Sequence, residues 1–132
     1  MNELIVRFYV NEKNKNILKA IISKLNLKNK DCFVIDINKN DEYDDNKARE
    51  FPDGFLYFSN FIEYLKDEAQ YSNDDIYNSK LILKTLWNSW IPAIASWDFE
   101  EKLPKTGGYK SKDIPWWSKI YNYSRMVIWK LA

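Results

Sequence analysis

The sequence predicts an α+β fold with the element order strand, helix, strand, strand, helix, strand. Apolar residues alternate with other residues in several short segments, as they do in half-buried strands. In two longer segments they recur every three or four residues, as in amphipathic helices. A chain of 132 residues that is 45% apolar and 17% aromatic can bury a core, so we expect a single domain at 1–132, with its core at 1–99 and an extension at 100–132.

The first strand and helix follow directly from these patterns. Residues 3–10 predict a strand with one buried face, formed by Leu4, Val6, Phe8 and Val10. Asn14 or Asn16 can cap the helix that follows. The apolar stripe predicted for this helix consists of Ile17, Leu18, Ile21, Ile22 and Leu25.

The middle of the chain predicts two more strands around a polar loop. Residues 31–37 indicate an interior or half-covered strand with Phe33, Ile35 and Ile37 on its main apolar face, and Cys32 is expected to be buried. A charged loop without periodicity covers 39–53. Residues 55–65 carry apolar side chains on both faces, which predicts a central strand.

The second helix has a clear start. Ser72 is a suitable N-cap, with Asp74 and Asp75 in the first turn, where acids favour the helix dipole. Pro92 ends the helix, and residues 93–99 predict the fourth strand. The buried stripe predicted for this helix is Ile76, Leu83, Leu86, Trp87 and Trp90.

This order of elements is that of the split βαβ, or ferredoxin-like, arrangement: a four-stranded antiparallel sheet with both helices on one face. The aromatic C-terminal segment can cover the other face or serve as a binding platform. We predict that 114–131 is helical, and a strand at 125–131 is the alternative.

Residue types and motifs that are absent from the sequence narrow the range of functions that we expect. There is no histidine, which removes the commonest general base and metal ligand, and there is no nucleotide-binding glycine motif. The acids of 39–53 do not have the spacing of a calcium loop. We therefore expect no catalytic residue, no cofactor and no metal; an enzyme that uses paired carboxylates without histidine stays as a second alternative.

The composition also indicates the cellular compartment in which the protein works. No apolar run reaches the roughly 18 residues of a membrane span, and residues 1–10 carry charges that a signal peptide lacks. The single cysteine cannot form an internal disulfide, which fits a reducing environment. The prediction is a cytoplasmic protein without a membrane partner.

Charge is segregated along the chain. Residues 31–75 hold thirteen Asp and Glu against four Lys and Arg, whereas the rest of the chain is basic and the total is +1. In the predicted fold the acids divide between the two ends of the sheet and become candidates for binding a basic partner. The candidates at one end are Asp41, Glu42, Tyr43, Asp44, Asp45 and Glu50, and those at the other end are Asp67, Glu68, Tyr71, Asp98, Glu100 and Glu101.

A nucleic-acid-binding module that uses the basic flanks and the aromatic residues is the first alternative. RNA-recognition domains stack bases on aromatic residues of their third strand. Here Asp53 stands where that motif has a basic residue, and the neighbouring loop is acidic. Nucleic acid is therefore not the expected partner.

Several segments between 54 and 109 form a recognisable set. They are Gly54-Phe55-Leu56-Tyr57-Phe58, Leu86-Trp87, Ile91-Pro92-Ala93-Ile94-Ala95, Asp98-Phe99-Glu100-Glu101-Lys102-Leu103-Pro104 and Gly107-Gly108-Tyr109. With these segments, the stretch resembles small immunity proteins encoded beside bacterial polymorphic toxins, including those of contact-dependent growth inhibition. The resemblance implies a non-enzymatic inhibitor that binds one cognate toxin domain, commonly a nuclease, and it implies no catalytic residues.

Overall fold

The computed structural model describes residues 4–49, 53–68 and 70–96, and these form an α+β structure, as the sequence predicts. Four strands make one antiparallel sheet, and two helices accompany it. The strands are β1 (Leu4–Val10), β2 (Val34–Lys39), β3 (Asn60–Lys66) and β4 (Ala93–Ser96), and the helices are α1 (Lys15–Ser23) and α2 (Asn73–Asn88).

The strands lie in the order β2-β3-β1-β4. β3 pairs with β1 over its whole length, from Asn60 opposite Val10 to Lys66 opposite Leu4. β2 pairs with β3 on one side, and β4 pairs with β1 on the other. The prediction that the third strand is central is therefore confirmed for the residues that form it.

The two faces of the sheet differ in burial. On the core face, side chains of β1 and β3 are fully buried and join Leu18 of α1 and Leu83 of α2 in one hydrophobic cluster. The predicted buried face of the first strand is confirmed, because all four of its members have no exposed area. These residues are Leu4, Val6, Phe8 and Val10.

The opposite face, which we call the open face, is built from three rows across the strands. The middle row is charged: Arg7 donates to Glu63 over 2.8 Å, and Asp36 lies beside this pair. One flanking row is aromatic and includes Tyr9 and Phe61. The other flanking row is Val34, Leu65 and Ile5, and Val34 is 59% exposed. A charged middle row makes this part of the sheet tolerant of water.

The prediction of a strand beginning at residue 55 is wrong. Residues 53–57 form a short 3-10 helix, and β3 begins only at Asn60. A turn buries Phe55 and Phe58 instead, and Phe55 packs edge-on against Tyr9 with ring centroids 5.1 Å apart. The chain takes this turn where Gly54 lies directly against the backbone of Ala48.

The second strand also differs from its prediction. Residues 30–32 form a 3-10 turn, so β2 starts at Val34, three residues later than predicted. It is an edge strand among the described residues rather than an interior one, although it is half-covered as expected. Cys32 is exposed rather than buried, because it lies in the turn before the strand and not on its core face.

The helices follow the predicted starts, with two corrections to their apolar stripes. Asn14 caps α1, and Ser72 forms a reciprocal capping box with Asp75 at the start of α2. Ile17 is 43% exposed because it lies in the first turn of α1, away from the core contact of Leu18. Trp90 is 50% exposed because it follows the end of α2, in a left-handed turn with φ of 58°.

Several predictions concern residues outside the described ranges. They include residues 97–99 of the predicted fourth strand and the whole extension at 100–132, with its helix and strand alternatives. The candidates Glu50, Asp98, Glu100 and Glu101 also belong to this part of the chain.

Candidate partner-binding surfaces

The connection from β2 to β3 is held in place from its inside by Asn40. This side chain is 3% exposed, and its Nδ2 donates to the carbonyl oxygens of Leu56 and Phe58 over 3.0 and 2.7 Å. Its Oδ1 accepts from the backbone N–H of Glu42 over 2.9 Å. A loop that the sequence suggests to be structureless is therefore fastened at three backbone groups.

The acids of this connection do not all face a partner. Asp44 uses Oδ1 to accept from the backbone N–H groups of Asn46 and Lys47, and Asp45 pairs with Arg49 over 2.8 Å. Asp41 and Glu42 are exposed, and neither side chain makes a hydrogen bond or ion pair within the described ranges. Of these four carboxylates, those of Asp41 and Glu42 remain without a partner among the described residues.

We expect replacement of Asn40 by Ala to destabilise the protein by about 2–4 kcal/mol, since it leaves two carbonyls and one N–H without their partner. Chemical denaturation measures this change. Asp41→Ala is the matched control at the neighbouring exposed position and should stay within about 0.5 kcal/mol of the parent protein. Equal stability of both variants would contradict the assigned role of Asn40.

The same end of the sheet carries a basic surface. A groove of about 540 Å³ is lined by Lys13, Lys15, Lys39 and Tyr43, together with Asn14, Asn16, Ser59 and Asn60. We call this the lysine groove. Lys13 lies over the Tyr43 ring at 5.3 Å, and its contact with the tyrosine hydroxyl raises the pKa of Lys13. The charge at this end is mixed, so it is not the acidic patch that the segregated sequence suggests.

The other end of the sheet is more uniformly acidic. A smaller groove of about 210 Å³ has two carboxylates, from Asp31 and Asp67, beside the apolar side chains of Val34 and Leu65. Cys32 and Phe33 complete its lining. We call this the acidic groove. Glu68 follows directly, is exposed, and extends the negative charge.

Lys66 does not neutralise the acidic groove, because another carboxylate holds it. Its Nζ donates to Asp75 over 2.8 Å, and only 12% of its side chain is exposed. Tyr71, a candidate anchor, is 40% exposed in the segment that leads into α2. The Asp67 and Glu68 carboxylates make no ion pair or hydrogen bond within the described residues.

The register of the sheet separates the two groups of candidates. Asn60 begins β3 beside Lys39, and Lys66 ends β3 beside Leu4. At about 3.3 Å per residue, the ends of β3 lie about 20 Å apart. Asp41 to Asp45 therefore lie at one end, and Asp67 and Glu68 lie at the other.

The sequence did not reveal which other residues lie beside these candidates in the two grooves. Asp31 and Val34 join Asp67 only through the pairing of β2 with β3, which brings Val34 opposite Leu65. Lys13 and Lys15 lie just before and at the start of α1, and Lys39 ends β2, so the groove joins two distant parts of the chain. A correct register for β2 would have revealed both groupings.

The described residues contain no group of three or more acidic or cysteine side chains arranged to hold a metal ion. Neither α1 nor α2 is long and apolar enough to cross a membrane. Comparison with protein-family models, with curated proteins and with solved structures gave no match.

Proposed function

We propose that this protein is an immunity protein that binds a basic toxin domain through the acidic groove and thereby neutralises it. The observation that carries the proposal is the combination of two carboxylates, Asp31 and Asp67, with the exposed apolar surface of Val34. The toxin is of the class whose active surface holds phosphate, such as a nuclease, because such a surface is basic.

The chemistry of the acidic groove suits a lysine or arginine side chain from the partner. The aliphatic part of such a side chain can lie on Val34 and Leu65, while its charged end meets Asp31 or Asp67. Charges at the rim of an interface steer the encounter, and desolvated apolar contact slows dissociation. A groove with both features can support rapid and tight binding.

The opposite end is less suited to this task. Of Asp41, Glu42, Asp44 and Asp45, the last two are engaged within the loop, and three lysines line the adjoining groove. A basic partner approaching Asp41 and Glu42 would meet Lys13 and Lys39 as well. Electrostatic steering therefore favours the end that contains Asp67 and Glu68.

The proposal includes a ferredoxin-like fold, a cytoplasmic location and the absence of catalysis. An element order of β1-α1-β2-β3-α2-β4 with strand order β2-β3-β1-β4 supports the split βαβ arrangement. A cytoplasmic inhibitor can meet an incoming toxin before it reaches nucleic acid. Inhibition by occlusion requires no reactive side chain, only a surface that matches the toxin.

We expect the double charge reversal Asp67→Lys/Glu68→Lys to slow association with the toxin domain encoded beside this gene by about tenfold or more at low salt. Asp41→Lys/Glu42→Lys changes the formal charge equally at the other end and should change association less than about threefold. Stopped-flow or surface-plasmon measurements give the rate constants, and inhibition of toxin activity gives the functional readout.

The single cysteine provides an independent footprint. Cys32 is exposed in the acidic groove, so bound toxin should protect its thiol from a maleimide reagent. Failure to form a complex at micromolar concentration would reject the proposed function. A complex that leaves Cys32 fully reactive and responds only to the reversal at 41 and 42 would assign binding to the other end.

A further inference from the structure

The lysine groove gathers positive charge that the described chain does not neutralise. The side chains of Lys15 and Lys39 make no ion pair or hydrogen bond within the described residues, and the ion pairs found there all involve other cations. Among the described residues, Lys13 contacts the Tyr43 ring and hydroxyl, and the charge of Asp45 acts on it without forming an ion pair. Like charges around one cavity repel each other, so an anion in the groove would lower the energy of the arrangement.

The position of the groove follows from the topology. β1 and β2 are both antiparallel to β3, so they run in the same direction and finish at the same end of the sheet. α1 starts at this end, at Lys15. Its first turn is already used by the chain, because Asn14 accepts from the N–H of Asn16 and Glu12 accepts from that of Asn14. Anion recognition therefore depends on the lysine side chains.

We propose that the lysine groove binds a small phosphorylated ligand of nucleotide size. Lysine is a common phosphate-binding residue that acts as a point charge, and three of the described residues that line the groove are lysines. The volume of about 540 Å³ exceeds what one inorganic phosphate needs and falls within the range of small-molecule sites.

The surroundings favour a small ligand over an extended nucleic acid. Exposed Asp41 and Glu42 lie next to Tyr43 on the connection between β2 and β3. The charge of Asp45 helps to raise the pKa of Lys13. A phosphate backbone that continued beyond the groove would meet these carboxylates and be repelled. A compact anion can stay among the lysines.

Calorimetric titration with ADP tests the proposal, with inorganic pyrophosphate and a single-stranded oligonucleotide as the other probes. We expect ADP to bind the intact protein below about 1 mM and more tightly than pyrophosphate, since its nucleoside part occupies more of the groove. Lys15→Gln/Lys39→Gln should weaken ADP binding by about tenfold or more. Lys19→Gln/Lys24→Gln removes the same charge from exposed positions on the same helix and its cap, outside the lining, and should leave binding unchanged.

The remaining outcomes overturn the proposal. No ADP binding by the intact protein, or equal weakening in both double variants, would show that the groove has no specific role. Tighter binding of pyrophosphate than of ADP would exclude a ligand of nucleotide size. Binding of the oligonucleotide without binding of ADP would assign the groove to nucleic acid. None of these results depends on the toxin complex, so this proposal and the proposed function can fail separately.

Discussion

Replacement of Asp75 by Asn is expected to destabilise the protein by about 3 kcal/mol, although the two side chains have nearly the same shape. Asp75 is 3% exposed and accepts from four donors. Tyr64 donates to Oδ1 over 2.6 Å. Lys66 Nζ, the backbone N–H of Ser72 and the Ser72 hydroxyl donate to Oδ2. An amide NH₂ in place of Oδ2 would leave Lys66 and the Ser72 N–H without an acceptor.

Urea denaturation at neutral pH measures this loss. Asp74→Asn is the matched control, because this neighbouring carboxylate is only half-buried and accepts one hydrogen bond among the described residues, from the Asn29 side chain. The change should cost less than about 1 kcal/mol. We expect the free energy of unfolding to fall by roughly 3 kcal/mol in the Asp75→Asn variant. A fall of less than about 1 kcal/mol would contradict this account.

Asp75 should also make the stability of the protein depend on pH in the acid range. Burial alone would raise the pKa of Asp75, but the hydrogen bonds from Lys66, Tyr64 and Ser72 outweigh burial and hold that pKa below its ordinary value. Its stabilising contribution is therefore complete above about pH 4 and is lost as the pH falls through the lowered pKa. We expect the acid-induced loss of stability to be smaller in the Asp75→Asn variant.

In the alkaline range, stability depends on pH with the opposite sign. Burial, together with the hydrogen bond to Asp75, raises the pKa of Tyr64 well above its usual range, and the hydrogen bond to Asp75 raises the pKa of Lys66. These contributions are complete below about pH 10 and are lost as the pH rises through the raised values. The cluster therefore stabilises the fold across the whole neutral range.

Replacement of Gly54 by Ala is the second change for which we expect a large effect. A methyl group on Gly54 would lie 2.6 Å from the carbonyl oxygen of Ala48 and 2.8 Å from that of Lys47. Both are backbone atoms and cannot rotate away, so the connection between β2 and β3 must shift. We expect a loss of about 2–3 kcal/mol and a lower melting temperature.

A structural readout separates this effect from general instability. The Phe55 ring packs edge-on against Tyr9, so displacement of the 53–57 turn should change the ring-current shifts of Tyr9 in NMR spectra. Leu56→Ala is the control within the same turn, because Leu56 is 44% exposed and its truncation should cost little. An unchanged melting temperature for Gly54→Ala would mean that this close approach is not maintained in solution.

The sequence predicted the parts of the fold that depend on local periodicity. The alternation in β1 and the cap at Ser72 were sufficient because each is a short-range pattern. The predicted starts of the 31–37 and 55–65 strands were wrong, because apolar alternation is equally compatible with the turns that precede β2 and β3, and the second of these buries Phe55 and Phe58. Nothing short-range distinguishes the two arrangements.

The candidate sites were less predictable, since they depend on contacts between distant residues. Asp74 and Asp75 are adjacent in the sequence, yet one is half-buried and the other receives four hydrogen bonds. The same holds for Asp44 and Asp41, of which only the first is used within its loop. Charge counts identify acidic residues, but only the packing determines which carboxylates remain available to a partner.

The position of β4 at the edge next to β1 has a consequence for folding. β1 begins at residue 4 and β4 ends at residue 96, so this pairing closes almost the full described length of the chain. Closing a long loop is entropically costly and slow relative to local steps such as forming the β2–β3 pair. During synthesis, one hydrogen-bonding edge of β1 therefore stays unpaired until β4 emerges, and that edge is open to pairing with another chain.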